Sequence, residues 1–368
     1  MDALSSLLTT GGSFLVLLTV VVFVHELGHF LIARWNGVKV EVFSVGFGRE
    51  LVGFYDRHGT RWRLSLLPFG GYVKFFGDAD AASATEDDLN GLTEDERKVA
   101  FPCQPLWRKA AIVFAGPAAN FVFAILVFAV VFMTVGRPMA PAVIGSVRVD
   151  SAAATAGLLA GDRIVAIAGH PVEEFADVQR LVPLYGMDAM PVTVVRDGGE
   201  LTVTTHPKSL DEQGNRLPAP ILGVVISQSS VEVKSLGPIE AVGQAFENTW
   251  TITASTVVAM GQMVRGDRGT EDLGGPIRIA EFSGQAARNG LLSFVTFIAV
   301  LSINLGLINL LPVPVLDGGH LALYAIQAIR GRPLGEQAQG IGVKIGLVFV
   351  IGLMIFSTWN DILRLVRG

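Results

Sequence analysis

The sequence predicts a polytopic α-helical membrane protein with four transmembrane helices. A strand-rich polar loop follows the first helix and an α+β module is inserted after the second. Three observations carry that class. The 368 residues are 51% hydrophobic and 17% charged, with a mean hydropathy of +0.51, whereas soluble chains carry about 25% charge. Four segments, 14–35, 110–135, 291–311 and 341–363, reach the length of about 20 apolar residues that crosses a bilayer core. The intervening polar segments read with strand and turn periods rather than that of a helix.

The first segment (1–36) carries His25-Glu26-Leu27-Gly28-His29 inside an apolar run. Residues four apart share one helix face, so His25 and His29 converge while Glu26 stands beside them. That spacing is the signature of a zinc peptidase helix, two imidazole ligands and a carboxylate that activates the metal-bound water. Titratable groups at membrane depth cost roughly 2.5–3.5 kcal/mol each on insertion scales. The helix must therefore face a polar protein interior. Residues 1–13 lack a basic leader and no small-residue cleavage site follows, so the segment reads as a retained span rather than a signal peptide.

Residues 37–109 begin as strands. Val38, Val40 and Val42 alternate with charged residues, 61–67 repeats the pattern, and Gly70-Gly71 marks a turn. The acidic stretch 79–98 reads as loop or short helix. Lys and Arg recur from Arg34 to Lys109, which puts this connection on the cytoplasmic side. Arg330, Arg332 and Lys344 agree; Arg364 and Arg367 count against it. Both termini and 136–290 then face outward.

The second span, 110–135, is plain hydrophobic, with Phe114, Phe121, Phe123, Phe128 and Phe132 read as lipid-facing packing. The module at 138–228 offers a strand at 144–149, a short helix at 152–158 and a turn at Gly161-Asp162 into a second strand. A helix at 175–185 and strands at 191–196 and 201–206 follow, the last two joined by Asp197-Gly198, a strong hairpin signal. An amphipathic region, 229–290, holds a helix at 237–264 that lies on the membrane surface or packs under the module.

The third span (291–317) ends in Asn304, Asn309, Pro312, Pro314 and Asp317-Gly318-Gly319. Two prolines stop a regular helix, and the freed backbone is tolerated only in a protein- or water-lined cavity. Catalytic zinc takes three protein ligands and keeps a fourth position for water, so Asp317 completes the set begun by His25 and His29. Glu26 then takes a proton from the zinc-activated water that attacks a peptide carbonyl, and returns it to the leaving amine. Asn304 and Asn309 offer amide donors to substrate or oxyanion. His320 as a fourth ligand would close the open position, so it reads as surface or as a contact beyond the ligands. His58, His170 and His206 read as solvent-exposed. Asn120, with Gly116 allowing close approach, reads as a bond between helices. A lone Cys103 excludes an intrachain disulfide, and no basic patch suggests nucleic acid.

The HELGH helix and the segment Asn309-Leu310-Leu311-Pro312-Val313-Pro314-Val315-Leu316-Asp317-Gly318-Gly319 together resemble the site-2 protease family of intramembrane zinc metalloproteases, in its bacterial regulator-of-sigma-E form. Phe114-Ala115-Gly116-Pro117-Ala118-Ala119-Asn120 is a third shared feature. Gly70-Gly71-Tyr72-Val73-Lys74 is similar to that family's membrane-associated β-loop beside the substrate cleft, and 138–228 resembles a permuted PDZ domain. The best-known members carry two such domains; this chain has one.

The resemblance implies Zn2+ and cleavage of single-pass membrane proteins within their transmembrane segments after a first protease has trimmed them. Clients would be anti-sigma factors, in a sigma-E stress response, or remnant signal peptides. It implies substrate contacts at Gly70, Gly71 and Tyr72, a peptide groove at Ile221-Leu222-Gly223-Val224 and residence in the bacterial inner membrane. A monomer is expected. A non-enzymatic scaffold would have lost Glu26 or a ligand, and a metal transporter would want a polar path through several spans, with titratable residues in the cores of spans two and four. Neither pattern is present in the sequence.

Overall fold

A computed structural model describes residues 2–77, 91–139, 141–185, 188–210, 216–227, 232–266, 274–332 and 335–367, which fall into two units, Met1–Val130 with Pro238–Gly368, and Val131–Gly237. Most of the expected 79–98 loop lies outside the described residues.

In the first unit, helices α1 (Asp2–Trp35), α3 (Leu106–Thr134), α8 (Leu291–Asn309) and α10 (Glu336–Arg367) contain, among the described residues, four segments long and apolar enough to cross a membrane. Apolar side chains turned outward on such helices need lipid as their solvent. The extreme is α10, where only 6% of the most apolar window is buried. Helices α1 and α3 meet closely: a Cβ on Gly28 would lie 2.2 Å from the Ala115 carbonyl oxygen, so only glycine permits this approach.

Strands β1 (Val40–Tyr55) and β2 (Arg61–Phe75) are each bent and pair with each other twice. Residues 50–55 run against 61–65, 42–45 lie beside 61–64 in the same sense, and 71–75 run antiparallel to 40–45. The order is thus 50–55, 61–65, 40–45, 71–75, with 71–75 at an edge. Phe43 is fully buried, stacks on Trp62 at 4.3 Å and meets Phe30 edge-on at 5.4 Å, which fastens the sheet to α1. The short helix α2 (Glu94–Val99) follows, closed by a Thr93–Glu96 capping box.

After the second unit, α6 (Pro238–Arg265) and α7 (Pro276–Arg288) lead into α8, and α9 (Asp317–Arg330) precedes α10. Helix α7 lies against α1, so close that a Cβ on Gly284 would come 2.4 Å from Thr10 Oγ1. Its N-terminus is capped from another helix. Buried Asp361 of α10 accepts the backbone N–H groups of Gly275 at 3.1 Å and Arg278 at 3.0 Å, satisfying donors that a helix start leaves unpaired. A carboxylate in the expected fourth span therefore has a structural partner.

The second unit is built from short elements. These are β3 (Arg137–Met139), β4 (Ile144–Val147), α4 (Ala152–Thr155), β5 (Arg163–Ile167), β6 (His170–Pro171), α5 (Phe175–Leu181), β7 (Met190–Arg196), β8 (Gly199–Thr205), β9 (Lys208–Leu210), β10 (Arg216–Ile221), β11 (Val224–Ile226) and β12 (Glu232–Lys234). An antiparallel sheet runs β6-β5-β7-β8, and β11 pairs with β4. Met190, Val192 and Val194 alternate into a core with Ile164, Ile167 and Leu158. Two elements are shorter than expected: β4 stops at Val147, and α4 at Thr155, just ahead of Gly157 with φ +78°. The expected peptide-groove segment 221–224 is not one strand. Leu222 and Gly223 turn between β10 and β11, because their carbonyls accept from Ala153 and Arg148 and Gly223 sits at φ +78°.

Buried Asp162 ties this unit together, accepting from Arg196 Nε and Nη2, both at 2.7 Å, and from the Leu159 N–H at 2.8 Å. The Arg196 hydrogen bonds hold its carboxyl below the usual range. A lowered native pKa contributes stability in full above the unfolded value of about 3.9, and that stability is lost as pH falls through the native value. Asp162→Ala should therefore cost about 2 kcal/mol at neutral pH and flatten the acid loss. Hydrogen exchange of the β5 and β7 amides in the whole chain, between pH 7 and pH 3, measures both.

Candidate metal centre

His25 and His29, 7% and 9% exposed, project from the same face of α1. Asp317 reaches them from the first residue of α9. His25 Nε2 lies 3.1 Å from Asp317 Oδ2 and 3.1 Å from His29 Nε2, and the third side, His29 Nε2 to Asp317 Oδ2, is 3.6 Å. The ligand atoms of a tetrahedral zinc, each 2.0–2.1 Å from the metal, stand about 3.3 Å apart. The triangle has that size. Asp317 Oδ2 is buried and receives no hydrogen bond, an orphaned acceptor aimed at the two imidazole nitrogens. Two nitrogens and a carboxylate oxygen form a donor set suited to zinc. No other metal-sized cluster of His, Cys, Asp and Glu occurs among the described residues.

The chain delivers Asp317 through an irregular turn. The expected segment 291–317 is not one helix: α8 stops at Asn309 and α9 begins at Asp317, since Pro312 and Pro314 lack the N–H that a helix requires. Val315 takes φ +89°, a strained value for a branched residue. Gly318 and Gly319 are sterically dictated. A Cβ on Gly318 would lie 2.3 Å from the Leu310 and Leu311 carbonyl oxygens, and one on Gly319 2.3 Å from that of Val313. Pro314 closes the turn against α10, where a Cβ on Gly346 would meet its carbonyl oxygen at 2.0 Å.

The imidazoles are oriented from behind by α3. His29 Nδ1 donates to the Ile112 carbonyl at 2.8 Å, which leaves the Nε2 lone pair pointing into the triangle. His25 Nδ1 faces the Asn120 carboxamide at 3.2 Å. Pro117, inside α3, supplies no N–H to the Val113 carbonyl four residues back, one position beyond the Ile112 carbonyl that takes His29. Between them Gly116 makes the room. A Cβ there would stand 2.3 Å from His29 Nε2 and 2.9 Å from His25 Cε1.

Half-buried Glu26 lies beside the edge strand, where a Cβ on Gly71 would come 3.6 Å from Glu26 Cγ. Gly70, at φ +107°, turns the chain into that strand. Tyr72 stacks on Phe47 at 6.0 Å and its hydroxyl is bonded by Arg63, so it braces the loop. Asn309 Nδ2 sits 3.5 Å from His25 Nε2, at the mouth of the triangle. Asn304 Oδ1 accepts from Thr256 of α6 at 3.3 Å, which ties α6 to α8 through the acceptor end of its amide. His320 packs 6.5 Å from the Tyr324 ring and is outside the triangle. His58, His170 and His206 are exposed. Sequence reasoning assigned no role to Ser302, which is fully buried and bonds Asn120, nor to the Ile112 carbonyl.

Residues 13–353 match the family model described as peptidase family M50. The Agrobacterium fabrum protein named "Putative zinc metalloprotease Atu1380" is 48% identical over 96% of this chain and 95% of its own length. A Rhizobium meliloti protein named in the same way, R01501, is 45% identical over 98% of each chain. The metalloprotease MmpA of Caulobacter vibrioides is 35% identical over 96% of this chain and 95% of its own. Among solved structures, the PDZ domain of the SdrC-like protein of Listeria monocytogenes matches 24% of this chain and 90% of its own, at 19% identity and a TM-score of 0.21.

Proposed function

This chain belongs to peptidase family M50 and is a zinc metalloprotease, and from that premise we propose that it cuts single-pass membrane proteins within their transmembrane segments. One observation carries the reading: a zinc-sized triangle with an orphaned carboxylate oxygen, built on helices apolar enough to cross a membrane. His25, His29 and Asp317 are the metal ligands. Zinc there supplies the Lewis acidity that makes water nucleophilic near neutral pH. Glu26 takes the proton of the attacking water and returns it to the leaving amine nitrogen. The Asn309 amide donates to the oxygen on which negative charge develops.

A helical peptide bond is hidden by its own turn, so the client must be extended before attack. The edge strand 71–75 supports strand addition: among the described strands it pairs on one side only, and its outer side, where the Val73 N–H meets Glu26, would present backbone groups to an unwound client. The second unit is a PDZ-like module that selects trimmed clients. Its β11 pairs with β4 on one side only among the described strands, leaving an edge for a peptide. The basic connection from Arg34 to Lys109 supports an active site toward the cytoplasm of a bacterial inner membrane, with the module outward. The clients of this reading are anti-sigma factors already cut once, with release of a stress-response sigma factor, or remnant signal peptides. The protein acts as a monomer.

The test is mass-spectrometric mapping of cleavage in membranes holding this protein and a tagged single-pass client with or without its outer domain. Cuts within the apolar span, confined to the trimmed client, are expected. Cuts confined to soluble segments would contradict intramembrane proteolysis.

A further inference from the structure

His25 needs its proton on one particular nitrogen. With Nε2 turned into the triangle as a ligand, a neutral imidazole carries its hydrogen on Nδ1, and Nδ1–H must find an acceptor. The group facing it at 3.2 Å is the Asn120 carboxamide, placed with Nδ2 toward the ring and with Oδ1 3.2 Å from Ser302 Oγ, an arrangement that sets two donors against each other once Nδ1 carries its hydrogen. Ser302 also donates to the Asn120 backbone carbonyl at 3.1 Å. Asn120 and Ser302 are each fully buried, so no water competes for these bonds. The two ends of a carboxamide are alike in shape, and which end faces the ring is set by the bonds available. With Oδ1 toward His25 and Nδ2 toward Ser302, every group is satisfied. Nδ1–H donates to Oδ1, Nδ2–H donates to Ser302 Oγ, and the serine hydroxyl hydrogen stays on the backbone carbonyl of Asn120. Without the serine oxygen, Nδ2 would be a buried donor with nothing to bond there, and nothing would hold Oδ1 toward the ring.

We propose that Ser302 is a positioning residue that locks the Asn120 carboxamide oxygen-first toward His25, fixing the imidazole tautomer that binds metal. The proposal rests on the zinc-site reading above. Second-layer partners of metal-bound imidazoles typically contribute ten- to a hundred-fold to affinity, and about ten-fold is expected here. A carboxylate offers an acceptor from either oxygen and needs no lock, so the serine should lose its importance beside an aspartate.

The experiment measures zinc affinity by chelator competition on the purified full chain, together with the visible spectrum of the cobalt(II)-substituted protein. Ser302→Ala should weaken zinc binding about ten-fold and perturb the cobalt bands, and Ser302→Thr, which keeps the hydroxyl, should restore both. In an Asn120→Asp background, Ser302→Ala should cause no further loss. If Ser302→Ala leaves affinity within about two-fold of wild type, the lock is overturned. Equal losses in the Asn120 and Asp backgrounds would mean that the serine acts through packing or folding, and would overturn it too. Wild type failing to bind zinc would instead sink the metal-site reading itself, a separate outcome.

Discussion

Glu26→Gln should leave the protein folded and zinc-loaded while lowering cleavage by about 10²–10⁴-fold, the usual contribution of a general acid–base group. Glutamine has the same length and shape, so it fits between α1 and the edge strand at Gly71. It is not a metal ligand in this account, so metal content should not change. What it loses is the ability to carry a proton from water to the leaving nitrogen. Single-turnover cleavage of a trimmed client, with zinc measured on the same preparation, separates the two effects. Undiminished cleavage would remove Glu26 from the chemistry.

Gly116→Ala should have a comparably large effect by a different route. One added methyl would stand 2.3 Å from His29 Nε2 and 2.5 Å from its Cε1, inside any permitted contact. The imidazole that would move is a ligand held on its other side by the Ile112 carbonyl. Zinc affinity should fall by more than about 100-fold, beyond the range of second-layer substitutions, and activity with it. Gly352→Ala is the matched control, because nothing lies within 4 Å of a Cβ on that helical glycine. If Gly116→Ala binds zinc like wild type, the geometry around His29 is not as described.

The parts of the site that the sequence makes legible are local. His25 and His29 sit about one helical turn apart with Glu26 beside the first, and the prolines before Asp317 announce a broken helix. Both signals are short-range, and they point to residues the fold brings together. Contacts between distant segments leave no such trace. Asn120 meets His25 across 95 positions and Ser302 across 182, and a buried serine on an apolar helix looks like any small packing residue. Asp361 reaches the start of α7 across 86 positions. The bond that Asn304 Oδ1 accepts from Thr256 of α6 likewise spans 48 positions. The alternation of Val38, Val40 and Val42 announces strands; that 42–45 would also lie beside 61–64 in the same sense depends on a chain crossing that alternation does not encode.

The most direct test of the central claim is the zinc content of the purified protein beside that of His25→Ala, His29→Ala and Asp317→Ala. One zinc per wild-type chain and almost none in each variant is the predicted result. Zinc retained at the wild-type level in all three variants would contradict it, since no other group of ligands among the described residues could hold the ion.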